Sequence, residues 1–334
     1  MNYRKHVAYK VSTQDMTLSI DAFSDRFIKP AMEALANYID TTMLGLYKGI
    51  PNQVGTPGTT PSQFYTFAEA QAVLADHGVP QGNRHCVVDP WAQAKMADSF
   101  KGLFVGDKVN ASINRGEMGG MIAGFNMYTS QNVNTHTCGT AAGLSTMLVD
   151  GTSSEGDTTI TVDQNGSLAV VATQGDIFTV GSVYGVNPIS GTSTGRLRQF
   201  VVEAATSSTG NDDDWSCTPG VAPWNIYSAS AAEKYLPYQT VDALPADNAA
   251  VTVAGTASLQ HKVNLSFHRD ALGLCMVPLE MPDSASWKAR ETHKGYSIRV
   301  YKFLDGVNDT EYIRFDVLFG IKVLNPFMAC RIAG

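Results

Sequence analysis

Between Thr137 and Lys262 this chain changes character, and that change constrains its fold more than any other feature. The stretch carries 4 Lys and Arg against 12 Asp and Glu, a net of −8 in a chain whose total is −7. The texture shifts at the same place. Apolar runs of strand length (TTITV, LAVV, DIFTVGSVYGV, RLRQFVVEA, AAVTVAG) follow one another closely, separated by clusters of Gly, Ser, Thr and Asn. Such runs with turn residues between them are the pattern of a small all-β barrel or sandwich. The flanking sequence instead mixes helix-like and strand-like segments. The whole therefore reads as α+β, with a β module inserted within a domain and not appended to it.

In the flanks, residues 3–20 alternate weakly and read as a strand. Phe23, Phe27, Ala31, Leu35, Ile39 and Met43 then recur every four residues, an apolar stripe that predicts a long helix over 21–48. Asp21 and Asp25 suit its start, and Gly49 and Pro51 its end. Pro30 has no N–H for the preceding turn, so a kink is expected there, or a helix that restarts with Pro30 at its first position. FAEAQAVLADHGVP predicts a helix closed by Gly78 and Pro80. RHCVVDP predicts a strand ending in Asp89, PWAQAKMADSF a helix opened by Pro90, and FNMYTS a strand. Near the C-terminus two alternating runs flank a DGVND turn, which predicts a long β-hairpin.

Only 16% of residues are charged, against about 25% in an average protein, which points to surface hidden in an assembly. No apolar stretch is long enough to cross a membrane as a helix. The opening MNYRKHVAYKVSTQD lacks the apolar core of a signal peptide. The five cysteines (Cys86, Cys138, Cys217, Cys275 and Cys330) are scattered and odd in number, with no C-x-x-C. They read as reduced thiols in a cytosolic setting, neither a disulfide framework nor a zinc site.

The triplet His268-Arg269-Asp270 matches the catalytic loop of protein kinases, but little else does. The kinase Asp needs an Asn five residues on to hold magnesium; here that position is Cys275. A Gly-rich loop, a V-A-I-K strand, a D-F-G and a P-loop are all absent. His85-Cys86 and His136-x-Cys138 each offer two metal ligands, too few for a tetrahedral site, and are expected to be packed or surface residues. Asp212-Asp213-Asp214 lacks the alternation and later Glu of a calcium loop and is expected to be a solvated loop. Arg196 and Arg198, alternating on one strand face, are too few for a nucleic-acid patch. Gly119-Gly120 and Gly124 flank no strand-to-helix turn that would cradle phosphate, and no G-x-S-x-G occurs. No catalytic residue, cofactor or metal is expected, and the chain does not read as an enzyme.

Several stretches, in their order, resemble the major capsid (coat) proteins of tailed bacteriophages, in particular the P22-like coat family. They are LSIDAFSDRFIKPAMEALANYIDTTMLGLYKGIPNQVGTPGTTP, VVDPWAQAKMADSF, GFNMYTSQNVNTHT, GDIFTVGSVYGVNP, LSFHRDALGL and YSIRVYKF…IRFDVLFGIKVLNP. The resemblance runs over nearly the whole chain. It implies an HK97-type shell fold. Residues 1–61 would hold the strand and spine helix of a peripheral domain. Residues 62–136 and 263–290 would form an axial domain, 137–262 the inserted β barrel, and 291–334 the peripheral hairpin and C-terminal return. Relatives carry an N-terminal arm and an extended loop before the strand at HVAYKVSTQDMTLSI, and this sequence starts almost at that strand.

The resemblance further implies a structural protein. Its copies would form pentamers and hexamers that close an icosahedral shell, procapsid then mature head, around double-stranded DNA held without sequence-specific contacts. A scaffolding protein and a portal would be partners, with assembly in the host bacterial cytoplasm and no membrane involved. The acidic insertion is expected to face away from DNA, since −8 beside phosphate would repel. In LSFHRDALGL the resemblance implies re-entry into the axial domain as strand then helix, with Asp270 capping the helix ALGLCM and Arg269 pairing. Two other readings carry different functions. One is an encapsulin-like nanocompartment shell; the other is a carbohydrate-binding module, with Trp215, Trp224 and Tyr227 as its aromatic platform.

Overall fold

A computed structural model of the chain describes residues 3–12, 28–99, 121–144, 146–154, 157–164, 171–207, 212–217, 239–293, 295–308 and 310–334. In chain order the elements are β1 (Tyr3–Ser12), α1 (Lys29–Leu44), a 3-10 turn (Gly45–Gly49), β2 (Gln53–Gly55), α2 (Phe64–Asp76), β3 (Arg84–Val88), α3 (Pro90–Ser99), β4 (Met121–Ile122), β5 (Phe125–Thr129) and β6 (Thr135–Thr137). Then come β7 (Met147–Val149), β8 (Thr159–Gln164), β9 (Val171–Ala172), β10 (Ile177–Val186), β11 (Ser193–Val201), β12 (Thr206–Ser207), β13 (Asp212–Ser216) and β14 (Val251–Val253). The chain closes with β15 (Gln260–His268), β16 (Leu272–Met276), β17 (Trp287–His293), β18 (Tyr296–Asp305), β19 (Thr310–Val323), a 3-10 turn (Pro326–Met328) and β20 (Ala329–Ala333). The fold is mixed α+β, with strands predominating.

The chain divides into two compact units. The first comprises Met1–Met43 and Gly273–Lys322. Its sheet runs β1-β19-β18-β17, with β16 also paired to β19. Strand alternation sorts β19 by face. Ile313, Phe315, Val317 and Phe319 point into a core shared with Ala31 and Leu35 of α1, while Tyr38 meets Phe319 edge-on at 6.0 Å. Ala31, Leu35, Tyr38 and Ile39 recur at helical spacing, so one stripe of α1 serves the sheet. The opposite face of β18 and β19 carries a polar and aromatic row. Asp316, fully buried, accepts from Arg299 and from Arg314 Nε at 2.7 Å. Phe303 stacks on Tyr312 at 5.0 Å.

The second unit comprises Leu44–Leu272 and Val323–Gly334. Its largest sheet runs β2-β20-β15-β3-β5-β4, with β6 paired to β15. Phe67, Ala70 and Leu74 of α2, with Ala92 and Met96 of α3, pack beside Cys86, Val88, Phe125 and Ile332. Tyr47, Ile50 and Val133 pack with Val263, Leu265 and Ala329 in a second cluster. Asp89 begins α3: its carboxylate accepts from the N–H groups of Trp91 and Ala92 (3.2 and 3.1 Å), and Pro90 takes the first helical position.

Within this unit, the described residues of 137–262 hold three small antiparallel sheets, β7-β8-β13, β9-β12 and β11-β10-β14. All share one core. Trp215 is fully buried at its centre, with Phe178 edge-on at 5.3 Å and Phe200 beside Phe178 at 5.5 Å.

Several expectations need correction. ALGLCM is not a helix, and Asp270 caps none: residues 272–276 are the strand β16, because pairing with β19 and the packing of Leu274 and Met276 outweigh helical propensity. Asp212–Asp214 is strand, not solvated loop, because each residue is paired across β8. The helix expected over 21–48 is α-helical over Lys29–Leu44 and then tightens to 3-10; residues 21–27 lie outside the described residues. Pro30 is the second residue of the α-helical span Lys29–Leu44. In the compact units, Gly273–Lys322 forms one body with the N-terminal strand, and β20 lies inside the sheet of the second unit.

Candidate functional site

The chain enters the β module after β6 and leaves it at β15, and these two strands pair with His136 opposite His261. Around that pair lies a buried polar cluster. His136, 4% exposed, donates from Nε2 to Asp176 Oδ1 (2.9 Å) and accepts at Nδ1 from the Tyr47 hydroxyl (3.1 Å). Asp176, 1% exposed, sits in the turn before β10, and its Oδ2 accepts the N–H groups of Thr173 and Gly139 (2.7 and 3.0 Å). Arg331 of β20 donates to the Gly175 carbonyl (2.5 Å) and lies over the Tyr47 ring. His261 places Nδ1 3.8 Å from Cys138 Sγ.

Charge and burial set the state of these groups. Burial lowers the Arg331 guanidinium to about 10, which leaves it charged at neutral pH. The Asp176 charge nearby favours the cation, although Arg331 Nε and Nη2 are buried without a hydrogen-bond partner. Burial, then the nearby Asp176, pushes the Cys138 thiol up to about 11. A buried, protonated thiol is a poor nucleophile. The Cys-His-Asp set is therefore arranged to hold chain segments together, with little capacity to attack a substrate.

A second set of contacts ties the module to the same sheet. Gln199 of β11 brackets Gln53: its Oε1 accepts the Gln53 N–H (2.6 Å) and its Nε2 donates to the Gln53 carbonyl (2.9 Å). Arg198, 5% exposed, stacks over Phe327 at 4.5 Å. His77 stacks on the same ring, bonds Asn52 Oδ1 at 3.1 Å and lies 3.4 Å from Arg198 Nη1. Burial, and then the Arg198 charge, lowers His77 from 6.5 to about 3. The unfolded chain thus takes up a proton near 6.5 that the folded chain refuses until about 3. Stability from this site is complete above 6.5 and falls with pH through the window, at up to about 1.4 kcal/mol per pH unit. In His77→Gln that slope is expected to disappear. Urea midpoints of both proteins between pH 4 and 7 check this; parallel curves refute it.

Sequence reasoning found part of the site. His136-x-Cys138 is in it. His85 and Cys86 are not a pair: Cys86 is in the core, while His85 lies on the other side of the strand between Tyr128 and Phe267. Arg269 contributes a backbone N–H to the Asn83 carbonyl, and the exposed Asp270 carboxylate lies 3.5 Å from His268 Nδ1. Trp215, buried in the module core, offers no platform; Trp224 and Tyr227 lie outside the described residues. Tyr47, Asp176, His261 and Arg331 were missed. One signal was available for Asp176: in Thr-Gln-Gly-Asp an acid sits three residues after a threonine, at the mouth of an apolar strand.

The family model described as "P22 coat protein - gene protein 5" matches residues 1–334. A curated relative, the major capsid protein of Acyrthosiphon pisum secondary endosymbiont phage 1, is 27% identical over 324 residues, covering 93% of this chain and 75% of its own. Among solved structures, one titled Mycobacterium phage Che8 matches at 12% identity and TM-score 0.47, over 99% of this chain and 70% of that one. The capsid structure of Cyanophage P-SCSP1u matches at 12% identity and TM-score 0.45, over 98% and 71%.

Proposed function

Since this chain belongs to the P22 coat protein family, we propose a division of labour within a protein whose work is that of a phage major capsid protein, forming the shell of the virion. In this reading the shell is icosahedral and of HK97 type, built from pentamers and hexamers around double-stranded DNA. The unit of Met1–Met43 and Gly273–Lys322 acts as the peripheral domain. The large sheet of the second unit acts as the axial domain, and residues 137–262 as an inserted domain. Assembly in the host cytoplasm proceeds through a procapsid, with a scaffolding protein and a portal as partners.

The observation that carries this reading is the match of the coat family over residues 1–334. Two physical features support it. A charged fraction of 16% suits a chain whose surface is covered by copies of itself. Many weak contacts repeated by symmetry are enough to close a stable shell. The net −8 of residues 137–262 argues that this module points away from packaged DNA.

Electron microscopy of the chain expressed with the proteins encoded beside it is the test. Closed shells of uniform diameter, with the module on the outer wall or between capsomers, are expected. Monomers in the presence of scaffold would overturn the shell architecture, and density for the module on the inner wall would overturn its placement.

A further inference from the structure

The cluster where the chain enters and leaves the β module gathers four side chains of metal-ligand type, one of which, His261, leaves its buried Nε2 without a hydrogen-bond partner. His136, Cys138 and Asp176 are all buried and each offers a ligand atom, and these atoms lie within 4.8 Å of one another. We propose that they bind one divalent transition-metal ion of the zinc class, with His261, which lies outside that 4.8 Å set but 3.8 Å from Cys138 Sγ, closing in as the fourth donor of a structural site. The proposal does not depend on the shell-forming role.

The donor set suits that ion. One thiolate, two imidazoles and one carboxylate are the ligands zinc takes, and a structural site fills all four positions with protein. The spacing is close to what the ion needs. Zinc–sulfur and zinc–nitrogen bonds of about 2.3 and 2.0 Å at a tetrahedral angle place S and N about 3.5 Å apart; Cys138 Sγ and His261 Nδ1 are 3.8 Å apart. Two such nitrogen or oxygen ligands would be about 3.3 Å apart. His136 Nε2 and Asp176 Oδ1 are at 2.9 Å, so they must open by a few tenths of an ångström.

The surrounding groups are already placed to support the ligands. If His136 binds through Nε2, its Nδ1 carries the proton and donates to the Tyr47 hydroxyl now 3.1 Å away. Asp176 Oδ2 is held by two backbone N–H groups, leaving Oδ1 to turn to the ion. Outer partners of this kind orient metal ligands and raise affinity. On binding, the Cys138 S–H bond breaks, its proton leaves to solvent and the sulfur pair forms the metal bond; no oxidation state changes. Thiolate and carboxylate then offset both charges of the ion. That matters because the Arg331 cation lies in the same cluster.

Position gives the site a role. His136 and His261 are opposite one another on the two strands that cross into the module, and Asp176 belongs to the turn preceding β10. One ion would cross-link the way in, the way out and a turn of the module itself.

The test uses the whole chain, stripped with chelator and reloaded with zinc or cobalt(II). Expected are one zinc per chain after dialysis, a thiolate-to-cobalt charge-transfer band with tetrahedral ligand-field bands, and a rise in melting temperature with zinc. Cys138→Ser is expected to weaken zinc binding about a hundredfold or more and to abolish the charge-transfer band, while the exposed Cys275→Ser retains both. Substoichiometric zinc with no thiolate band, or a band that survives Cys138→Ser, overturns the proposal. Should Cys138→Ser fail to fold, the stoichiometry and cobalt spectrum of the parent chain still decide.

Discussion

Replacing Asp316 by alanine is expected to destabilise the protein by about 3–5 kcal/mol, because it leaves the buried Arg299 cation without its counter-charge. Asp316 is fully buried and Arg299 is 8% exposed; Arg314 reaches the same carboxylate. Burial alone would raise the Asp316 carboxyl, but the hydrogen bonds and charges of Arg299 and Arg314 hold it below its ordinary 3.8. With the folded value depressed, the folded protein gives up this proton more readily than the unfolded chain. The stabilisation is therefore present above 3.8 and lost as pH falls through the folded value. Urea unfolding at pH 7, followed by circular dichroism, checks the size, and a loss under 1 kcal/mol would sink the argument. A second measurement separates burial of charge from packing: Asp316→Leu with Arg299→Met is expected to be less harmful than Asp316→Ala alone, since apolar groups of similar volume commonly replace a buried ion pair without loss.

Trp215→Ala is expected to cost a similar amount, about 3–5 kcal/mol, by a different cause. Here the loss is of buried apolar contact and the opening of a cavity beside Phe178 and Phe200. The indole Nε1–H also donates to Asp213 Oδ2 at 3.0 Å, a bond that Phe cannot make. Trp215→Phe should therefore be intermediate. The effect should also be local. Because the three small sheets share this one core, hydrogen exchange is expected to accelerate in β8, β10 and β13 before it does in β1 and β19. Uniform acceleration through the chain would show that the module does not unfold as its own cooperative body.

Much of the fold could be read from residue patterns, and the failures have physical causes. The helix over Phe64–Asp76 and the strand ending at Asp89 were legible because burial follows helical and strand periods there. The module was legible because charge and texture change together at its edges. LGLCM was misread since a short apolar run fits helix or strand equally; its pairing with β19, more than thirty residues on, decided the matter. Three consecutive aspartates conceal the alternation of β13, which only its neighbour β8 reveals. In the polar cluster, His136 and Cys138 share a segment and could be paired by eye. Asp176, His261 and Arg331 come from distant segments, and a lone buried charge leaves no periodic trace. Cross-strand register, such as His136 opposite His261, is a property of the folded sheet alone.

The bracket that Gln199 places on Gln53 has a consequence for crowded assembly. β2 is the last strand of its sheet, and its outward N–H and carbonyl at Gln53 are taken by a side-chain amide from the module. That amide imitates a neighbouring strand yet cannot be extended by another. A chain whose module is unfolded or displaced bares a sheet margin able to recruit any extended polypeptide. At the concentrations where many copies meet, such a margin would seed open-ended polymers in competition with closed particles. On this geometry, closure of the module would also cover that margin, at the single residue Gln53.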